Sequence, residues 1–241
     1  FTFEGSAEGA FERVLLPVFV APIQGAFGSE FRTDFRARHV GGGDLSIHGL
    51  RYPCTVTCIQ GPDDPYVLTP GAEADPANTE PTGTPGAFLY VAKNRIRDVA
   101  MNVRAYDTSR SAENFGTEIP VVREEEFASE HPLGLVGIPT DVRFRNTLRI
   151  YSAGPGGAVD VKIDGAGVHA EHFLLLPEQP DLMHPGYIEF TNFPVNAGTV
   201  RVTLTGRQPI TSPPSPSPVF WAFVSVTNNE TQHITTVTPQ P

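Results

Sequence analysis

The sequence predicts an all-β protein: two tandem antiparallel β-sandwich domains, Ig-like or jelly-roll-like, preceded by an extended N-terminal arm. Three observations carry this. Twenty-three glycines and 24 prolines punctuate the 241 residues without a collagen period, as a chain with many turns requires. Apolar and polar residues alternate over short runs, the period of half-buried strands. A strand motif from the first half recurs in the second, which divides a chain of this length into two domains.

Taken in order, residues 1–12 read as the arm. Phe1 and Phe3 alternate with Thr2 and Glu4, and Gly5-Ser6-Ala7-Glu8-Gly9 then breaks the pattern. The first sandwich is read over 13–122. Arg13 to Val20 is an apolar β-rich run. From Phe31 to His39, Phe31, Thr33, Phe35 and Ala37 face one way and Arg32, Asp34, Arg36 and Arg38 the other. Residues 61–86, rich in Pro, Thr, Gly and acids, read as loop. Ala87 to Ala92, Asp98 to Tyr106 and Asn114 to Val122 read as strands, with Asn94-Arg95 near a turn. A linker spans 123–135. In it Arg123 to Glu130 is the one plausible helix, one or two turns long and stopped by His131-Pro132. The second sandwich covers 136–241. Its strands are Val142–Tyr151, Ala158–Ile163, Gly167–Leu176, Tyr187–Phe190, Thr199–Thr205, Val219–Thr227 and Thr231–Thr238. A polyproline-like loop, Ser212 to Pro218, interrupts them.

The repeat is specific enough to align. Phe31-Arg32-Thr33-Asp34-Phe35-Arg36 matches Phe144-Arg145-Asn146-Thr147-Leu148-Arg149, and a Gly-rich turn follows each. Val103 to Asp107 falls where Val224 to Asn228 falls, and each is followed by a polar turn and a Thr-containing return strand. The segments Gly25 to Phe31, Thr117 to Val122 and Phe220 to Asn228 resemble stretches of uncharacterised secreted bacterial proteins from GC-rich soil-type phyla. The similarity extends over most of the chain. It implies a secreted bacterial origin and supplies no activity and no catalytic residues.

Charge and cysteines narrow the functional classes. Seventeen Lys+Arg against 27 Asp+Glu give a net charge of −10, the wrong sign for a phosphate-binding face, so no nucleic-acid partner is expected. No apolar run reaches membrane-spanning length. A chain starting at Phe1 fits a removed secretion signal, and the protein is expected outside the cell or on its surface. Cys54 and Cys58 would stand about 13 Å apart on a straight strand, whereas a disulfide needs less than about 7 Å. The extracellular setting predicts that they bridge through a turn or bulge beside Pro53; two free thiols are the alternative. Two sulfurs without a second ligand pair are half a zinc site. Asn229-Glu230-Thr231 is a glycosylation sequon, to be used if the source modifies secreted chains.

No motif assigns a reaction, and the protein is expected not to be an enzyme and to need no cofactor. His169 and His172, three apart on a strand, diverge to opposite faces. Asp63-Asp64, Asp160 and Asp164 lack the spacing of a twelve-residue calcium loop and read as turn residues. Arg32, Arg36 and Arg38 with Asp34 read as an exposed ladder of ion pairs. Trp221, beside Phe220 and Phe223, reads as core, with a carbohydrate-stacking platform as its functional alternative. The leading reading is an extracellular structural or interaction protein, a subunit of a surface filament assembled by β-strand addition of the arm, with Phe1, Phe3 and Phe11 as anchors. Its partner is then a second copy of itself. The alternatives are a secreted module for a glycan or cell-surface partner, and, ranked last, a hydrolase with distant carboxylates.

Overall fold

A computed structural model describes residues 11–18, 23–49, 65–74, 85–109, 116–128, 131–154, 156–165, 169–175, 184–195, 198–207 and 217–239. The protein is all-β, in two sandwich halves with the main boundary between Glu125 and Glu126. The first half holds β1 (Phe11–Leu16), β2 (Ile23–Gln24), β3 (Glu30–His39), β4 (Leu45–His48), β5 (Tyr66–Leu68), β6 (Glu73–Ala74), β7 (Ala87–Ala92), β8 (Val99–Asp107), β9 (Thr117–Ile119) and β10 (Val122–Arg123). The second holds β11 (Leu133–Pro139), β12 (Phe144–Ser152), β13 (Gly157–Asp164), β14 (His169–Leu175), β15 (Gly186–Phe190), β16 (Thr199–Arg207), β17 (Phe220–Asn228) and β18 (Ile234–Val237). Every pairing is antiparallel.

The first half stacks the sheet β10-β1-β7-β4-β5 on the sheet β2-β3-β8-β9, with β6 also on β3. Alternate residues point inward from both. Val14, Leu16, Leu45, Ile47, Leu89 and Val91 from one sheet meet Phe35, Ala37, Val103, Ala105 and Ile119 from the other. In the second half the sheets are β11-β16-β13-β14 and β15-β12-β17-β18. Leu135, Val161, Val202 and Leu204 are buried on the first of these, and Leu148, Ile150, Val224 and Val226 on the second.

The sequence match is matched by the pairings. Phe31 faces Asp107 and Phe35 faces Val103; the aligned residues Phe144 and Leu148 face Asn228 and Val224. The ladder ends agree as well. Thr108 N–H donates to Glu30 O at 2.7 Å, as Asn229 N–H does to Arg143 O at 2.8 Å. At the opposite end Val40 N–H reaches Asp98 O at 2.7 Å and Ala153 N–H reaches Val219 O at 2.9 Å. Asp107 Oδ1 accepts from Ser109 N–H, and Asn228 Oδ1 from Glu230 N–H. Glycines close β4 and β13 in the same way. Gly49 (φ +91°) and Gly165 (φ +124°) lie against Phe88 O and Thr199 O, where a Cβ would come within 2.5 and 2.8 Å.

Several expectations change. The proposed helix at Arg123–Glu130 reduces to one 3₁₀ turn at Glu124–Glu126. Extended pairing claims both its flanks: β10 lies on β1, and Ala128 bridges to Phe220. The longer 3₁₀ segment is Lys93–Asp98, read from sequence only as near a turn. There Arg95 pairs with Asp98 and donates to Gly42 O, and Ile96 is buried. Residues 61–86, read as loop, contribute β5 and β6, short strands specified by distant partners on β4 and β3. β11 starts at Leu133, inside the stretch read as linker.

Phe35, 1% exposed at the centre of the first core, is expected to cost about 3–5 kcal/mol on replacement by Ala. Gly165→Ala, at positive φ against a carbonyl, is expected to cost about 1–3 kcal/mol. Urea denaturation followed by tryptophan fluorescence and circular dichroism measures both.

Candidate functional site

The arm residues come first. Phe11 is the first residue of β1, pairs with Ala92 and sets its ring edge-on to His48 at 5.1 Å. Phe1 and Phe3 lie outside the described residues, as do Cys54, Cys58, Asp63 and Asp64. Asp160 pairs with Arg207 at 2.8 Å and Asp164 with Lys162 at 2.9 Å. His169 and His172 lie on β14, opposite Ile163 and Asp160. Among the described residues no group of three or more His, Cys, Asp or Glu could hold a metal ion.

The outer faces of the two corresponding sheets differ. On β3, Arg36 pairs with Asp34 at 3.5 Å and with Glu73 on β6 at 3.4 Å, and Arg32 and Arg38 are exposed. The aligned face of β12 and β17 is aromatic. Trp221, 2% exposed, lies 5.5 Å from Phe223, which stacks on Tyr151 at 6.4 Å. Trp221 is therefore a buried side chain, and no stacking platform is built on it. Arg149 lies over the Phe223 ring, donates to Ser225 Oγ, and pairs with Glu189 at 3.7 Å. Glu189 also accepts from the Tyr187 hydroxyl. Burial holds the Tyr187 phenol well above its ordinary range.

A concave site opens in the second half, where β12 begins. β15 pairs with β12 only along Leu148–Ser152. Past Phe190 its chain turns away through Thr191, Phe193, Pro194 and Val195, leaving a cavity of about 250 Å³ beside Phe144, Arg145, Asn146 and Thr147. Phe144 carries the Arg143 guanidinium over its ring at 5.6 Å. Arg143 in turn pairs with Asp141 at 2.9 Å, which holds the Asp141 carboxyl below its usual range. Val195, at the mouth, is 73% exposed.

Two polar residues give the cavity its chemistry. Asn146 is 5% exposed; its Nδ2 donates to Pro139 O at 2.6 Å, and its Oδ1 has no hydrogen-bond partner among the described residues. A buried acceptor left unpaired in this way carries a desolvation cost. Arg145 is held by Gln232 Oε1 at 2.6 Å and Asn229 Oδ1 at 3.2 Å, and burial lowers its pKa from the ordinary arginine value. The sequon residue Asn229 is thus part of this support: its Nδ2, the atom a glycan would take, donates to Val142 O at 2.8 Å.

Apart from Asn229, the cavity and its support use residues that motif reading passed over. Asn146 carried one signal, an amide at an inward position of an alternating strand. Gln232, buried at φ +60°, carried none, because its placement depends on the fold of the Asn228–Gln232 turn.

Comparison with known proteins finds no matching family model, no matching curated protein and no matching solved structure.

The Tyr187 phenol yields a prediction. Its pKa is raised in the folded state, so the stability it supports is complete below the unfolded value, about 10, and is lost as pH rises above it. Spectrophotometric titration of the chain's six tyrosines is expected to leave at least one un-ionised until alkaline unfolding, and Tyr187→Phe is expected to reduce the amplitude of that late step by one tyrosine.

Proposed function

We propose that the protein is an extracellular structural subunit that assembles with copies of itself, the N-terminal arm of one adding as a strand to the next. The observation that carries this reading is a difference between the two halves. In the first, β10 lies on β1, and β2 lies on β3 beside Phe31. Two ion pairs fasten the β10 side: Glu12 with Arg123 at 2.6 Å and Arg13 with Glu124 at 3.1 Å. In the second half, β11 and β12 stand where β1 and β3 stand, yet neither a β10 nor a β2 counterpart accompanies them among the described residues. Sheet edges of this kind accept an added strand through main-chain hydrogen bonds.

The arm has the complementary chemistry. Phe1 and Phe3 alternate with Thr2 and Glu4, and burial of one such aromatic side chain contributes about 1.5–3 kcal/mol. Head-to-tail addition of this kind makes an open filament when the rotation between copies does not close. The resemblance to secreted bacterial proteins agrees with a role outside the cell. Phe11 is better placed as a support than as an anchor, because it is committed to β1.

Electron microscopy and sedimentation velocity of the full chain, beside a version lacking residues 1–10, test the reading. Filaments or oligomers are expected in the first sample and monomers in the second. Monomers in both, at concentrations of tens of micromolar and above, overturn it.

A further inference from the structure

The cavity beside Phe144 and Asn146 coincides with one of the two edges that differ between the halves. Phe144 aligns with Phe31, and in the first half the residue opposite Phe31 is Ile23 of β2. The chain thus builds a two-residue strand at this edge in its first half and a cavity at the same edge in its second. The other differing edge, on β11, is interrupted by a register shift between Leu135 and Ile138. Bulges of that kind protect an edge from strand addition. The β12 edge has no such interruption across its pairing with β17.

We infer that this cavity is the acceptor for the arm of a second copy, which lies along β12 and inserts one phenylalanine, Phe1 or Phe3, against Phe144 and Phe193. The inference rests on the self-assembly reading and names its joint. The volume, about 250 Å³, suits a single large side chain together with a short length of backbone. Asn146 also lines the cavity beside Phe144 and Thr147, next to the β12 backbone that the incoming segment would follow. Charge agrees: residues 1–10 carry Glu4 and Glu8 and no Lys or Arg, and Arg145 lines the cavity. The arm's alternation, Phe-Thr-Phe-Glu, places both phenylalanines on one side of an extended segment and the acid on the other.

A complementation experiment on the full chain tests this. Val195→Glu blocks the cavity mouth at an exposed position and leaves the arm intact. Phe1→Ala with Phe3→Ala disables the arm and leaves the cavity intact. Sedimentation velocity is expected to show oligomers for the wild type and monomers for each variant alone. Mixed one to one, the two variants are expected to form a complex that stops at two copies, since the only intact arm meets the only intact cavity. Thr147→Arg, on the opposite wall, repeats the test should Val195→Glu prove unstable on thermal melting. Val195→Glu and Thr147→Arg chains that assemble like the wild type overturn the cavity as acceptor and leave strand addition at another edge standing. A wild type that is monomeric overturns both. Monomers in the mixture also overturn the cavity assignment.

Discussion

The structure depends on one interaction that occurs in each half: a long antiparallel pairing, β3 with β8 in the first and β12 with β17 in the second. β3 meets β8 over nine consecutive residue pairs, and β12 meets β17 over nine. Because side chains alternate faces along a strand, a slip of one residue would send Phe35 or Leu148 out of the core and bring an arginine in. The ends of both ladders are pinned by backbone hydrogen bonds at aligned positions, so the register is set from both directions. With it fixed, the remaining strands have defined places. β6 and β15 lie on one side of the pair, β9 and β18 on the other, and the second sheet stacks across the core.

The two faces of that pairing differ in how far they agree between the halves. Most inward positions are apolar in both halves, with Phe35 aligned to Leu148 and Ala105 to Val226, while Thr33 and the aligned Asn146 are polar. Outward positions diverge. Arg36 and Arg38 are exposed on β3, whereas the aligned Arg149 and Tyr151 sit among Phe223 and Trp221. Arg149 is held there by Glu189, Ser225 and the Phe223 ring. One backbone pattern therefore carries a polar outer surface in one half and a buried aromatic layer in the other.

Most of the strands were legible because their signals are local. The alternation of Phe31 to His39 and of Phe144 to Tyr151 marks two half-buried strands directly, and the Gly-rich turns mark where each ends. β5 and β6 were not legible in the same way. Two or three residues such as Glu73-Ala74 carry no period, and their conformation comes from partners far along the chain. The 3₁₀ segment at Lys93–Asp98 depends on Arg95 reaching the carbonyls of the Gly41–Gly43 turn, a contact across about fifty residues of sequence. The candidate site was least legible of all. Asn146, Thr191, Val195 and Gln232 form no motif; the fold assembles them where β15 parts from β12.

The shared register also bears on how the chain reaches its native state. Two tethered halves with the same ladder present each central strand with two candidate mates, a hazard for tandem β-domains during folding. Exchange of β3 onto β17 would preserve every backbone hydrogen bond but set Arg36 against Phe223 and Arg38 against Trp221. Arg36 would take the place of Arg149, another guanidinium, but Arg38 would replace Tyr151 and its ring contacts with Trp221 and Phe223. The difference of the outer faces at Arg38 and Tyr151 therefore disfavours a swapped pairing that the shared backbone register alone would accept.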